Sequence, residues 1–167
     1  HTKSLAMTGG LDEKKLQQQR KEIEKVNKGL SGITILAGAE VNILKDGKLD
    51  ISDKALSELD VVGAAVHSNF NLPKAEQTNR IIKAMQNENV DILFHPTGRL
   101  IQQREPYELD IEKIIQTAKD TGTVLEINAF PNRLDLKDDH IKLAVKAGVK
   151  LSIDSDAHNK NHIQYLE

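Results

Sequence analysis

"LDVVGAAVHSNF" (residues 59–70) decides how this chain is read. Residues 61–66 carry no polar side chain, and a histidine follows at once. The run is short, valine-rich and without the polar alternation of a half-exposed strand. It therefore reads as a strand covered on both faces, as in a parallel sheet. Four more runs repeat the pattern: "ITILAG" (33–38), "DILF" (91–94), "TVLEI" (123–127) and "VKLSI" (149–153).

Helical patterns lie before and between these runs. Leu16, Ile23, Val26 and Leu30 recur at helical spacing after Asp12, a suitable N-cap. Pro73 suits the first turn of a helix carrying Ile81, Ile82 and Met85. Asp110 is placed to cap a helix with Ile111, Ile114, Ile115 and Ala118, which Gly122 stops. A segment from about Lys137 to Lys146 ends at Gly148 in the same way. Strand and helix in alternation mean right-handed βαβ units, a parallel sheet and the α/β class. A doubly wound open sheet and a barrel both satisfy the pattern, although five strands are too few to close a barrel. "GRLIQQREPYELD" (98–110) has no period and reads as a functional or surface loop.

At 167 residues, 38% apolar and 29% charged, the chain has the make-up of one globular domain. The net charge of −2 points to no nucleic-acid partner by itself. Cysteine is absent, which excludes disulfides and thiolate metal sites and fits a cytoplasmic location. No stretch approaches the roughly 20 apolar residues of a membrane span. The chain opens on His1 and is expected to be a fragment of something longer.

In parallel α/β folds, ligands bind at the carboxyl ends of the strands. The first run is followed by Glu40, the second by His67, the third by His95, the fourth by Asn128 and the fifth by Asp156 and His158. These side chains are expected on one rim. His140 and His162 fall at a helix start and in the tail, and read as solvent-exposed background. Histidines with carboxylates and no cysteine suit Zn²⁺, Mn²⁺ or Fe²⁺. Several such ions on one rim suit hydrolysis of a phosphoryl centre. A Ser68–His67 nucleophilic pair is disfavoured, because strand neighbours point to opposite faces. Neither a Walker loop nor a GxGxxG motif is present.

The stretches "HTKSLAMTGGLDEKKL", "ILAGAEVNIL", "LDVVGAAVHSNF", "DILFHPTGRLIQQREPYELD", "LEINAFPNRLDL" and "SDAH" together resemble the PHP (polymerase and histidinol phosphatase) domain. The version they resemble is the one at the C-terminus of bacterial and archaeal family X DNA polymerases. The resemblance covers nearly the whole chain. It implies a single domain, residues 1–167, related to a distorted TIM-like barrel of seven parallel strands with up to three divalent ions, Mn²⁺ or Zn²⁺. Here about five strands would remain. The first strand and most of the second would lie upstream, with the His-x-His pair, and the final helix downstream. The implied activity is metal-dependent phosphoester hydrolysis, as 3′-to-5′ exonuclease at DNA 3′ ends in repair, beside a polymerase domain in cis.

By the same resemblance, Glu40 is a bridging carboxylate and His67 and His95 ligate the ion it shares. Asp156 ligates a second ion, and His1 and His158 a third, whereas Asp154 matches no ligand. A bound ion is expected first at Glu40, His67 and His95. Arg99 and Arg133 are candidate grips for phosphate oxygens, with Arg104 and Lys3 nearby; Asn128 is a candidate substrate contact. Three Phe, two Tyr and no Trp leave base-stacking platforms scarce. Two rival readings are a stand-alone phosphatase of the histidinol-phosphatase type and a catalytically degenerate structural module.

Overall fold

The valine-rich run at 61–66 forms the second strand of a five-stranded, all-parallel sheet. In the computed structural model, which describes residues 1–4 and 9–166, the elements follow in simple alternation. They are α1 (Glu13–Asn27), β1 (Gly38–Asn42), α2 (Asp53–Leu56), β2 (Val61–Ala65), α3 (Lys74–Met85), β3 (Ile92–Leu93), α4 (Ile111–Thr121), β4 (Val124–Asn128), α5 (Asp138–Ala147) and β5 (Leu151–Asp154). A 3₁₀ segment, Lys160–Leu166, closes the described chain. Spatial order equals chain order, so β1 and β5 are the edges of an open sheet among the described residues.

The helix ends form where the sequence places them. Asp12 accepts from the Lys15 N–H and Asp110 from the Lys113 N–H, each satisfying a first-turn donor. Gly122 and Gly148 stop α4 and α5 in the left-handed conformation at φ 80°. Helices α3, α4 and α5 pack in succession. Ile81, Ile114, Leu93, Leu125 and Leu136 sit fully buried in one core with Val41, Val62 and Ala64 of the sheet.

Several expected boundaries move. The first strand is not 33–38 but Gly38–Asn42, and Ile33, Ile35 and Leu36 are exposed. Pairing with β2 is the reason: the ladder starts at Gly38 opposite Val61. Just before it, Ala37 and Asp60 close the entry, with Ala37 N–H donating to the Asp60 side-chain Oδ2 and Asp60 N–H to the Ala37 carbonyl. Glu40 therefore lies inside β1, not beyond it. Likewise β4 includes Asn128 and β5 includes Asp154. Pro73 caps α3 instead of occupying its first turn. Leu30 falls beyond α1, whose one buried residue is Leu16. No described helix is long and apolar enough to cross a membrane.

Candidate metal centre

Glu40 is the meeting point of three imidazoles. The parallel ladder sets Glu40 of β1 level with Gly63 of β2, and His67 and His95, each two residues beyond β2 and β3, arrive at the same end of the sheet. His67 Nε2 and His95 Nε2 stand 2.8 and 2.9 Å from Glu40 Oε1. The Thr2 N–H donates to the Glu40 carbonyl, laying the start of the chain along β1. That brings His1 Nδ1 to 2.9 Å from Glu40 Oε2.

These contacts are close, yet two are not hydrogen bonds. His1 Nδ1 and His67 Nε2 are buried atoms with no partner in hydrogen-bonding alignment, and His95 Nδ1 is also unpartnered. One carboxylate oxygen and two imidazole nitrogens, from Glu40, His1 and His67, lie within 4.8 Å of one another. That donor set fits a borderline divalent cation. The compact trio contains His1, whereas His95 hydrogen-bonds Glu40 through Nε2.

The tautomer of His67 follows from its neighbours. Asn42 Nδ2 donates to Asp50 Oδ2 (2.8 Å) and lies 3.1 Å from Thr2 Oγ1. Its Oδ1 thus faces His67 Nδ1 at 2.6 Å and needs a proton there. With the proton on Nδ1, the Nε2 lone pair is turned toward Glu40, the orientation a ligating histidine takes. Asp50 is itself held by Thr2 Oγ1 and the Ser4 and Asn42 amides.

Burial alone would push the Glu40 carboxyl up, but the imidazoles of His1, His67 and His95 held against it outweigh burial and keep it far below the usual carboxylate range. The Glu40 carboxylate close to it raises His1 against the opposing effect of burial. Burial lowers His67, against the pull of Glu40.

A second group stands on the loop after β5. Asp156, with φ 49°, forms an ion pair with Arg133, Nε to Oδ2 at 2.9 Å, and accepts from Asn128 Nδ2 (3.2 Å). His158 Nδ1 bonds the Asp156 carbonyl at 2.7 Å, and its Nε2 lies 3.4 Å from His1 Nε2. His1 thereby joins the two groups. His95 also takes a positive φ, 30°, so two residues of the rim sit in a region costly for side chains of this size. A cavity of about 470 Å³ is lined by His1, Glu40, His95, Glu126, Asp156 and His158. Asp154 also borders it, but its Oδ2 accepts from Ser152 Oγ.

The expected substrate contacts separate. Arg99 donates from Nε to the Arg133 carbonyl at 3.0 Å and from Nη2 to the Leu134 carbonyl, so its guanidinium shapes the turn that carries Arg133. Asn128 is fully buried and its amide is used at both ends, on Asp156 and on the Phe130 N–H. It supports Asp156 instead of facing a substrate. Arg133, unlike Arg99 and Asn128, keeps a buried side-chain donor, Nη1, without a partner among the described residues. Arg104 lies 4.2 Å above the Phe70 ring. His140 and His162 are half-buried, not exposed.

Glu126 went unnoticed in the sequence. It is 3% exposed within β4, and desolvation pushes its carboxyl up to about 9; the donated His95 N–H opposes this, while Asp154, Asp156 and Glu40 add to it. The available signal was a lone glutamate in the apolar run "TVLEI". Asn42 had a signal too, standing two residues from Glu40 and so on the same strand face.

No family model matches the chain. It is 46% identical over 159 residues to the DNA polymerase/3′-5′ exonuclease PolX of Bacillus subtilis, which covers 95% of this chain and 28% of that protein. It is 36% identical over 139 residues to a probable phosphatase of Thermoanaerobacter sp. (strain X514), 77% of this chain and 54% of that protein. A probable phosphatase of Caldicellulosiruptor saccharolyticus is 34% identical over 146 residues, 83% of this chain and 59% of that protein. The chain thus spans under a third of the PolX relative and somewhat over half of these two phosphatases, and matches each over most of its own length.

Proposed function

We propose that this chain is a PHP-type phosphoesterase domain, part of a seven-stranded barrel in a family X DNA polymerase, hydrolysing phosphodiesters at DNA 3′ ends. The convergence of His1, His67 and His95 on Glu40, with two imidazole nitrogens turned to the carboxylate outside hydrogen-bonding alignment, carries this reading. Glu40 and His67, with His1 or His95, would hold one divalent cation, and Asp156 and His158 would belong to further cation positions. Mn²⁺ or Zn²⁺ bound there supplies a water of lowered pKa and neutralises charge on phosphate oxygens.

The chain's own residues do the rest. Asn42 keeps the His67 ring in the tautomer that leaves Nε2 free. Arg133, paired with Asp156 through Nε, would offer its guanidinium to a phosphate oxygen. The identity to the PolX exonuclease favours DNA and a polymerase domain in cis. The probable phosphatases among the relatives favour a second reading, a phosphatase of small monoesters. Comparing a single-stranded oligonucleotide with histidinol phosphate in the full-length protein with Mn²⁺ separates the two. Cleavage of the oligonucleotide from its 3′ end is expected; turnover of the monoester alone would displace the DNA reading.

The Asn42 contact has its own test. Asn42→Ala removes the acceptor that fixes His67, and Mn²⁺ affinity is expected to fall about tenfold to hundredfold. Titration calorimetry measures it, with circular dichroism to confirm the fold. Unchanged affinity would mean that the His67 ring is held by other contacts.

A further inference from the structure

Phe130, His162 and Tyr165 gather in one cluster, and each is only half-buried. Phe130 packs edge-to-face, 5.1 Å from each of the other two rings, at 70° and 78°. His162 and Tyr165 lie 5.7 Å apart and tilted by 34°. Among the described residues these three rings make no face-to-face stack with one another.

Two hydrogen bonds tie the cluster to the rim. The His158 N–H donates to His162 Nδ1 at 3.2 Å. The Phe130 N–H donates to Asn128 Oδ1, and the Asn128 Nδ2 reaches Asp156. Leu166, next to Tyr165, lines the cavity itself. On the same turn the Arg133 N–H donates to the Phe130 carbonyl at 2.8 Å. A guanidinium paired with Asp156, which lines the cavity, and a half-buried aromatic ring therefore stand three residues apart on one turn. A nucleotide presents that pair of groups: an anionic phosphate and a flat base.

Resting on the phosphodiesterase reading above, we propose that Phe130, with Tyr165 and His162, is a stacking subsite for the terminal nucleobase of a DNA strand whose phosphate Arg133 grips. Two of the chain's five Phe and Tyr residues would then serve where a strand end is held. Stacking tolerates any base, since each has a π-face, so the subsite selects for a base-bearing end without reading sequence.

The test uses the full-length protein with Mn²⁺ and two single-stranded oligonucleotides, identical except that one ends in a nucleobase and the other in an abasic tetrahydrofuran. The wild-type protein is expected to show a KM about tenfold or more lower for the base-bearing end. Phe130→Leu keeps apolar packing and is expected to raise that KM about tenfold while leaving the abasic substrate unchanged. Tyr165→Leu gives the same pattern more weakly and serves if Phe130→Leu does not fold. Equal KM values for the two substrates in the wild-type protein, or equal losses on both in the variants, would overturn the subsite alone. Cleavage of neither oligonucleotide by the wild-type protein would overturn the phosphodiesterase reading and the subsite with it.

Discussion

Glu40→Gln is expected to reduce 3′-end hydrolysis by about a thousandfold or more while leaving the fold intact. Glu40 is the single anionic group to which His1, His67 and His95 all turn. An amide keeps the size of the side chain but removes the charge that attracts a cation and the second oxygen lone-pair set that receives it. Loss of a cation from such a site removes several kcal/mol of transition-state stabilisation, and each ~1.4 kcal/mol is tenfold in rate. Calorimetric titration with Mn²⁺ should show the matching loss of binding, and far-UV circular dichroism an unchanged spectrum. Nuclease activity at the wild-type level would remove Glu40 from the site and sink the proposed function.

The second large effect concerns stability and pH. Glu126 titrates at about 9 in the folded chain against an ordinary 4.5. Between these values the folded state holds a proton that the unfolded chain has released. Stability contributed by the neutral carboxyl is therefore fully present below about pH 4.5 and is lost as pH rises toward about 9. At 1.36 kcal/mol per pH unit the whole span amounts to about 6 kcal/mol, an upper figure because local relaxation reduces it. Glu126→Gln retains an oxygen for the His95 N–H and cannot ionise. In EDTA, urea midpoints of the variant and the wild-type protein should agree near pH 5, and the variant should be clearly more stable at pH 8. Parallel midpoint curves across that range would show that Glu126 is ionised in the folded chain.

Sequence patterning carried the architecture far but the site only in outline. Each strand run and helix is local: apolar residues at a period, an aspartate at an N-cap, a glycine at a C-cap. Such features act over a few residues and survive translation into structure, as Asp110 and Gly122 do at the two ends of α4. The strand-end survey also picked residues that meet, because parallel strands present their carboxyl ends together. The sequence named Arg99 and Arg133 alike, and could not show that Arg99 is held by carbonyls 34 and 35 residues away. It passed over Phe130, His162 and Tyr165, which have no common period and meet only through the loop after β4 and the closing 3₁₀ segment.

By itself, then, the sequence determined the α/β alternation, the parallel sheet and the residue types gathered at one rim, because propensity, capping and periodicity are short-range. Tertiary structure decided the register that sets Glu40 inside β1, the proton position on His67, the neutral carboxyl of Glu126 and the free donor of Arg133. Each of these depends on which distant group lies within hydrogen-bonding range and on how much water is excluded, and neither quantity exists until the sheet has formed.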